Sequence, residues 1–129
     1  NRTVEKAAAL CAHDPLGRLA PAGFDSAALC RLSQRADLVI NCTSLGMEGT
    51  PGQFEDLSFL EALPAGAPVF DLIYAPAETE LLRRARALGH PAANGLGMLV
   101  YQAVFALEHF KDTRIDPAAM AKLLGSVLT

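Results

Sequence analysis

The sequence predicts a doubly wound α/β fold, in which a parallel sheet is covered by helices on both faces. Two apolar runs of strand length, Asp37–Asn41 and Val69–Tyr74, occur in a chain that otherwise shows mostly helical periodicity. Strands buried on both faces form nearly continuous apolar runs of this kind. The chain has 129 residues, of which 51% are hydrophobic and 19% charged, so it is long enough for one domain with a core.

Five helices are predicted from the spacing of apolar residues, over residues 4–11, 25–34, 79–88, 96–110 and 116–127. Thr3 is predicted to be the N-cap of the first helix. Gly89 ends the third helix, and Pro91 prevents its continuation. Asp116 is predicted to cap the last helix, with Pro117 in its first turn. That helix has an apolar stripe formed by Met120, Leu123, Leu124, Val127 and Leu128.

The segments between these elements carry weaker signals. Residues 13–23 hold Asp, Pro and Gly and predict a loop, with a short edge strand near Gly17–Ala20. Residues 48–67 are predicted to be irregular, with one helical turn around Leu57–Leu63. Residues 91–94 are predicted to form a short third strand.

Composition argues against several classes of function. The net charge is −3, which does not favour nucleic-acid binding. Every apolar run is interrupted by charge, Gly or Pro, so no membrane span is predicted, and no signal-peptide pattern opens the chain. Three scattered cysteines favour neither a disulfide framework nor a zinc site, and free thiols suit a reducing cytoplasm.

The amino-terminal segment places cations at a helix start. Ligands of parallel α/β sheets bind beyond the carboxyl ends of the strands, which here points to Asn1–Thr3 and to two later segments. Arg2 and Lys6 suit a phosphate, and Thr3 with the first helical turn adds donors for the same anion. The alternative is a capped helix with two solvated cations, and spacing alone favours that alternative.

The two later segments follow the predicted strands. In Asn41–Met47, Thr43 and its small neighbours would let a ligand approach the backbone closely, although an ordinary polar turn explains them equally well. In Leu72–Pro76, Tyr74 would offer its hydroxyl to a small polar ligand. The alternative is a tyrosine that only packs at the rim of the core.

The segment from Gly95 onward is the most unusual. Two glycines begin a helix that is apolar on nearly all sides, which predicts a buried helix. Gln102 is the one amide on it before Glu108 and would need buried partners. It lies on roughly the same face as Met98 and Gly95, and that face would meet a ligand lying over the glycine turn. The alternative is a core glutamine bonded to a backbone group.

Taken in order, four segments resemble the shikimate dehydrogenase family. Its NADP-specificity segment is similar to Asn1–Lys6 (NRTVEK), and its strand and turn beside the nicotinamide are similar to Ala36–Met47 (ADLVINCTSLGM). Its next two signature segments resemble Val69–Gly89 and Ala93–Ala103. The resemblance covers essentially the whole chain in the expected order and spacing.

This resemblance implies a Rossmann-like domain of an oxidoreductase that reversibly reduces 3-dehydroshikimate to shikimate with NADPH, in aromatic amino-acid biosynthesis. It implies that the adenosine 2′-phosphate is held by a group of four residues, Asn1, Arg2, Thr3 and Lys6. Lys6 stands where the family has Arg or Lys.

The resemblance also implies roles around the reacting end of the cofactor. Thr43 would border the cofactor, and the backbone of Leu72 would contact the nicotinamide. Gly95 and Met98 would line the nicotinamide pocket. The substrate's polar groups would be bound by two further residues, Tyr74 and Gln102.

Two departures from the family pattern shape the expected domain organisation. The family's glycine-rich phosphate loop precedes the segment that resembles Asn1–Lys6, and its Lys and Asp at the reacting hydroxyl belong to an amino-terminal substrate domain. Residues 1–129 are therefore expected to form a partial NADP-binding domain, with a sheet incomplete at its amino-terminal side. We assign no catalytic residue to this chain, including its three histidines, and no metal. Residues 116–127 are expected to pack on the substrate domain or on the flank of the sheet.

Two alternative functions remain open at this stage. One is a quinate/shikimate dehydrogenase that uses NAD, against which Arg2 and Lys6 argue. The other is a non-catalytic nucleotide-binding module, which the fold alone does not exclude. The sequence leaves the oligomeric state open.

Overall fold

The structure, a computed structural model, describes residue 1 and residues 3–125, with side chains to residue 123. Three parallel strands form its sheet in the order β1 (Val39–Asn41), β2 (Val69–Asp71) and β3 (Ala92–Ala93). Asn41 is aligned with Asp71 in the register of β1 and β2, so both strands end at the same edge. The predicted parallel α/β architecture is confirmed, and the sheet is open rather than closed.

The five predicted helices are all present in the described part of the chain: α1 (Val4–Cys11), α2 (Ser26–Ser33), α3 (Glu80–Ala87), α4 (Leu96–Lys111) and α5 (Pro117–Gly125). A 3₁₀ helix, Ser58–Ala62, forms the predicted helical turn. Asp25 and Thr79 cap α2 and α3 by accepting backbone N–H groups, as short polar side chains at helix starts do. Asp116 likewise accepts the Ala118 N–H at 3.0 Å.

The core lies where the 3₁₀ helix, β2 and α3 pack together. Its members are almost fully buried apolar side chains: Phe59, Leu60, Leu63, Ala67, Val69, Leu81, Leu82 and Ala85. Helical spacing predicts that Leu81, Leu82, Ala85 and Leu88 of the third helix point inward. The prediction is confirmed for the first three and wrong for Leu88, which is 36% exposed where the helix ends. This core fixes β2, and therefore the edge of the sheet where β2 ends.

The Thr3 side chain does not cap α1, although Thr3 occupies the N-cap position. Instead, the Asn1 side-chain oxygen accepts the Thr3 N–H at 2.9 Å. The predicted N-cap position is therefore confirmed, without a capping bond from the Thr3 side chain.

The predicted edge strand near Gly17–Ala20 is absent. The Asp14 carboxylate accepts the N–H groups of Leu16, Arg18 and Leu19 at 3.0, 2.5 and 2.7 Å. Donation by Leu16, then Leu19, and more weakly Arg18 also lowers the pKa of Asp14. The backbone groups that a strand would need are therefore used in a loop around one side chain.

The strands are shorter than predicted. The second strand ends at Asp71 rather than Tyr74, because the Ile73 N–H turns back to the Asp71 side chain at 3.1 Å. The first begins at Val39 rather than Asp37. The early end of β2 places Leu72–Tyr74 in a loop beyond the strand.

Helix α4 is not buried as its composition predicts. Val100 and Val104 are buried, whereas Met98, Tyr101, Phe105 and Phe110 are 41%, 53%, 60% and 80% exposed. Gln102 is also exposed, so it does not need the buried partners that were predicted for it. The described elements cover only one stripe of α4, because it has a substantial interface with α5 alone among them.

The outer edge of the sheet is open on the β1 side. Within residues 3–125, β1 pairs with β2 and with no other strand. Leu38 and Ile40, at the start and middle of this edge, are 48% and 49% exposed. In the described residues β1 is therefore an edge strand, unpaired on one side, with exposed apolar side chains along it.

Part of the last helix lies beyond what is described. Met120 is half-buried and Leu123 is exposed, while the side chains of Leu124, Val127 and Leu128 lie outside the described residues. Helix α5 packs against α4, and its predicted contact with the substrate domain remains an expectation. At 16 residues, α4 is the longest described helix, and none of the described helices has the length and apolarity needed to cross a membrane.

Candidate functional site

Three segments meet at the carboxyl edge of the sheet. The Leu72 N–H donates to the Asn41 carbonyl at 3.1 Å, and the Gly95 N–H donates to the Ile73 carbonyl at 3.0 Å. These bonds bring the end of β1, the end of β2 and the start of α4 side by side. In parallel α/β sheets this edge is the position where ligands bind.

The turn after β1 is held by the Asn41 side chain. Its carbonyl oxygen accepts both the Thr43 N–H at 2.9 Å and the Thr43 hydroxyl at 2.7 Å. The Thr43 oxygen in turn accepts the Leu45 N–H at 3.2 Å. Because a hydroxyl oxygen has two lone pairs, Thr43 retains one acceptor position for a ligand while its orientation is fixed.

Gly95 is required by the close approach of the Leu72 backbone, just beyond the end of β2. A Cβ on Gly95 would lie 2.0 Å from the Leu72 carbonyl oxygen and 2.6 Å from its carbon. At Gly97, two residues on, a Cβ would meet no described atom within 4 Å. Gly95 therefore allows the backbone of Leu72 to lie against the start of α4.

Two clefts adjoin the Cys42–Ser44 turn. The first has a volume of about 430 Å³ and is lined by Asn1, Phe24, Ile40, Leu45 and the turn. The second has a volume of about 470 Å³ and includes Leu72 and Tyr74 in its lining. Both volumes lie in the range of small-molecule sites. Because the turn lines both clefts, Thr43 lies at their junction.

The structure groups some of the predicted site residues and separates others. Asn1 and Thr43 meet in the first cleft, and Thr43 joins Leu72 and Tyr74 in the second. Tyr74 is 44% exposed. Gly95 is buried behind Leu72.

Met98 and Gln102 line neither of these two clefts. Both side chains are exposed on α4, beyond the glycine turn. Their predicted contacts with cofactor and substrate therefore need a ligand or a protein surface that extends past the second cleft. Within the described residues, nothing covers that side of the two residues.

The amino-terminal group is placed only in part. Arg2 lies outside the described residues. Thr3 and Lys6 are exposed, and Lys6 joins Asn1 in the lining of a shallow groove between α1 and α2. Asn1 thus lines both this groove and the first cleft.

A buried polar network was missed by sequence reasoning. Asp71, which is 0% exposed, binds the side chains of Asn41 at 3.0 Å and Thr79 at 2.6 Å. The available signal was a pair of polar residues, Asn41 and Asp71, each ending an apolar strand. Predicting their contact needed the register that aligns them.

Phe24 was also missed. Its ring lines the first cleft opposite the turn and lies 5.9 Å from the ring of Phe54. An isolated phenylalanine in a loop carries no periodic signal, so sequence reasoning had no means of finding it.

A parallel sheet with paired clefts beyond its strand ends defines a Rossmann-like α/β domain. No family model matches the chain. Shikimate dehydrogenase (NADP(+)) of Rhodopseudomonas palustris strain BisB5 is 48% identical over 125 residues, which are 96% of this chain and 42% of that protein.

Solved structures of a shikimate dehydrogenase and a quinate dehydrogenase are also similar to this chain. A shikimate dehydrogenase in complex with NADP+ matches with a TM-score of 0.79 and 29% identity, over 100% of this chain and 45% of that one. Quinate dehydrogenase from Corynebacterium glutamicum in complex with NAD matches with a TM-score of 0.77 and 34% identity, over 97% and 44% of the two chains. This chain is homologous to the carboxy-terminal part of the shikimate dehydrogenase family, and it spans less than half the length of these relatives.

Proposed function

We propose that this chain is the cofactor-binding part of an NADP-dependent shikimate dehydrogenase, which reversibly reduces 3-dehydroshikimate to shikimate. The observation that carries the proposal is the pair of clefts meeting at Thr43, one reaching Asn1 and the other reaching Leu72 and Tyr74. An extended dinucleotide needs two such compartments with a narrow junction between them. The relatives named for this activity match over nearly the whole chain.

The residues at the clefts suit such a ligand. Thr43 offers its remaining acceptor position at the junction, in an orientation set by Asn41. The backbone of Leu72, held against Gly95, forms a firm wall of the second cleft. The hydroxyl of Tyr74, a residue that lines that cleft, would donate to a polar group of the substrate ring. NADPH supplies the hydride when bound, and these residues would orient the ring ketone and exclude water.

The rest of the site would come from another part of the protein. The family resemblance implies that the Lys and Asp at the reacting hydroxyl belong to an amino-terminal substrate domain. Exposed apolar side chains beside β1 and on α4, including Leu38 and Phe105, are surfaces that further protein segments would cover. We therefore propose that residues 1–129 act only within the full-length protein and do not catalyse alone.

The preference for NADP+ over NAD+ tests whether the amino-terminal segment binds the 2′-phosphate. We expect Lys6→Ala in the full-length protein to weaken NADP+ binding by roughly 10- to 100-fold, the loss of one charge-assisted hydrogen bond of about 1.5–3 kcal/mol. Binding of NAD+, which lacks the 2′-phosphate, should change little. Calorimetric titration with both cofactors measures the difference.

The control for this experiment is Lys111→Ala, which removes an exposed lysine at the carboxyl end of α4. It should leave both affinities unchanged. An equal loss of NADP+ and NAD+ affinity in Lys6→Ala would show that Lys6 does not contact the 2′-phosphate.

Gln102 tests whether a substrate site is present. We expect Gln102→Ala in the full-length protein to raise the KM for shikimate by about 10-fold or more, because a polar group of the substrate loses its partner. The KM for NADP+ should change less than about 2-fold. Steady-state kinetics at saturating concentrations of the other substrate separates the two effects.

His109→Ala serves as the control for Gln102, since His109 is exposed two turns further along the same helix. It should change neither KM. Equal losses of shikimate binding and NADP+ binding in Gln102→Ala would favour the alternative of a nucleotide-binding module without a substrate site.

A second candidate function is supported by one specific comparison. The quinate dehydrogenase that matches this fold is in complex with NAD, and its 34% identity is close to that of the shikimate dehydrogenases among the solved structures. A full-length protein that oxidises quinate with NAD+ faster than shikimate with NADP+ would favour this candidate. The cation at Lys6 favours NADP.

We propose the cytoplasm as the compartment of this enzyme. Cys11, Cys30 and Cys42 are free thiols in the structure, and thiols persist in reducing compartments. Accessible Cys42 lines both clefts, so an oxidising compartment would expose the proposed cofactor site to thiol chemistry.

A further inference from the structure

Asp71 is a fully buried carboxyl group surrounded by neutral donors. Its three recorded hydrogen bonds come from the Asn41 side-chain amide, the Ile73 N–H and the Thr79 hydroxyl. Burying a carboxylate is costly unless its acceptor positions are used, and here donors from three segments converge on it. An apolar side chain would fill the same space without the cost of removing a carboxylate from water. The benefit of Asp71 therefore lies in the relative positions of the three segments that donate to it.

The two oxygens of Asp71 serve different parts of the structure. Oδ1 accepts the Asn41 amide at 3.0 Å and the Ile73 N–H at 3.1 Å. Oδ2 accepts the Thr79 hydroxyl at 2.6 Å, and Thr79 also caps α3 by accepting the Leu82 N–H at 3.4 Å. Oδ1 therefore contacts the segments that line the clefts, whereas Oδ2 contacts a helix behind them.

The Oδ1 bonds connect the two walls of the second cleft. One wall is the turn in which Asn41 Oδ1 holds the Thr43 N–H and hydroxyl. The other is Leu72–Tyr74, whose path is set when Ile73 bonds back to Asp71. A continuous series of hydrogen bonds thus runs from Thr43 through Asn41 and Asp71 to Ile73.

We infer that Asp71 is a positioning residue, whose Oδ1 atom fixes the separation of the Thr43 turn and the Leu72–Tyr74 wall before any ligand binds. It acts through Asn41 and touches neither cofactor nor substrate. Preorganised walls matter because misplacement of binding groups lowers turnover even when the fold survives. The inference rests on the proposed function for its kinetic consequence but not for its structural one.

Two substitutions in the full-length protein test the roles of Asp71 Oδ1 and Oδ2 separately. Asn41→Ala removes the Oδ1 connection between the walls, and Thr79→Val removes the Oδ2 bond while keeping the side-chain shape. Both variants lose buried hydrogen bonds and should lose thermal stability. Only Asn41→Ala should lower kcat/KM for shikimate, by about 10- to 100-fold.

Asp71→Asn provides a conservative rescue. The amide oxygen of the new side chain still accepts from Asn41 and Ile73, and its NH₂ group donates to the Thr79 oxygen. For Asp71→Asn we expect a kcat/KM within about 5-fold of the parent value. Asp71→Ala should lower kcat/KM as much as Asn41→Ala does. A loss in Asp71→Asn as large as in Asp71→Ala would contradict the inference.

Amide hydrogen exchange without ligand makes the test independent of the activity. Exchange should accelerate at least about 10-fold at Ile73 in Asn41→Ala and at Thr43 in Asp71→Ala, since neither amide bonds directly to the side chain that is replaced. In Thr79→Val it should stay unchanged at both amides. If amide exchange at Thr43 and Ile73 accelerated as much in Thr79→Val as in the variants that break the Oδ1 bonds, Asp71 would stabilise the fold without positioning the cleft walls. If the parent protein does not oxidise shikimate, the proposed function fails while the exchange comparison still decides the inference.

Discussion

Gly95→Ala is expected to lower the free energy of unfolding of the full-length protein by about 3 kcal/mol, at the upper end of overpacking effects. The added Cβ would lie 2.0 Å from the Leu72 carbonyl oxygen, and a backbone atom has no rotamer into which it can move away. Gly95 has φ −75° and ψ −1°, values that alanine adopts readily, so the cost is steric rather than conformational. Denaturant unfolding measures it.

The same substitution should also impair the proposed cofactor site. Relief of the contact requires Leu72 to move away from α4, and Leu72 is part of the wall of the second cleft. We therefore expect NADP+ affinity to fall by at least about 10-fold, since a 1 Å displacement of a binding group has effects of that order or more.

Gly97→Ala is the matched control. A Cβ there meets no described atom within 4 Å, and alanine is favoured over glycine inside a helix by about 1 kcal/mol. This variant should be as stable as the parent protein or slightly more stable. A similar destabilisation in both variants would show that helix α4 tolerates no methyl group at its start, and that the contact with Leu72 is not the cause.

Leu82→Ala is expected to cost about 2–5 kcal/mol, the range observed when a fully buried leucine is truncated. Leu82 is 0% exposed and belongs to the core that joins α3 to β2 and the 3₁₀ helix. Its N–H also bonds to Thr79, so loosening this turn weakens the support behind Asp71. Thermal and denaturant unfolding of the full-length protein measure the loss.

Leu88→Ala offers a comparison at the other end of the same helix. Leu88 is 36% exposed, so its truncation should cost less than about 1 kcal/mol. A cost for Leu88→Ala equal to that for Leu82→Ala would mean that the core does not lie where the structure places it.

The sequence was sufficient for the elements whose signals are local. Helical periodicity located the five helices, because a helix that is buried on one side repeats its apolar residues every three or four positions. The two apolar runs located β1 and β2, because a strand buried on both faces is apolar throughout. Resemblance to a family then directed attention to Thr43, Leu72 and Tyr74, which the structure brings to one cleft. Their contacts with ligands stay predictions.

Sequence reasoning failed where one side chain competed for backbone groups. Asp14 captured the N–H groups of the predicted edge strand, and Asp71 ended β2 early by capturing that of Ile73. Such competition depends on distances of a few tenths of an ångström, which no pattern of residue types encodes. The burial expected for α4 failed for another reason, since composition describes the helix and not what covers it.

The amino-acid sequence by itself determined the class of fold, the order of its elements and the segments that follow each strand, because these depend on local spacing and polarity. Only the tertiary structure decided that Asn41 aligns with Asp71, that Leu72 leaves no room for a side chain at Gly95, and that Met98 and Gln102 lie outside the clefts. The physical reason is that each of these facts is a distance between residues far apart in the chain. Such distances are set by strand register and core packing rather than by the residues themselves.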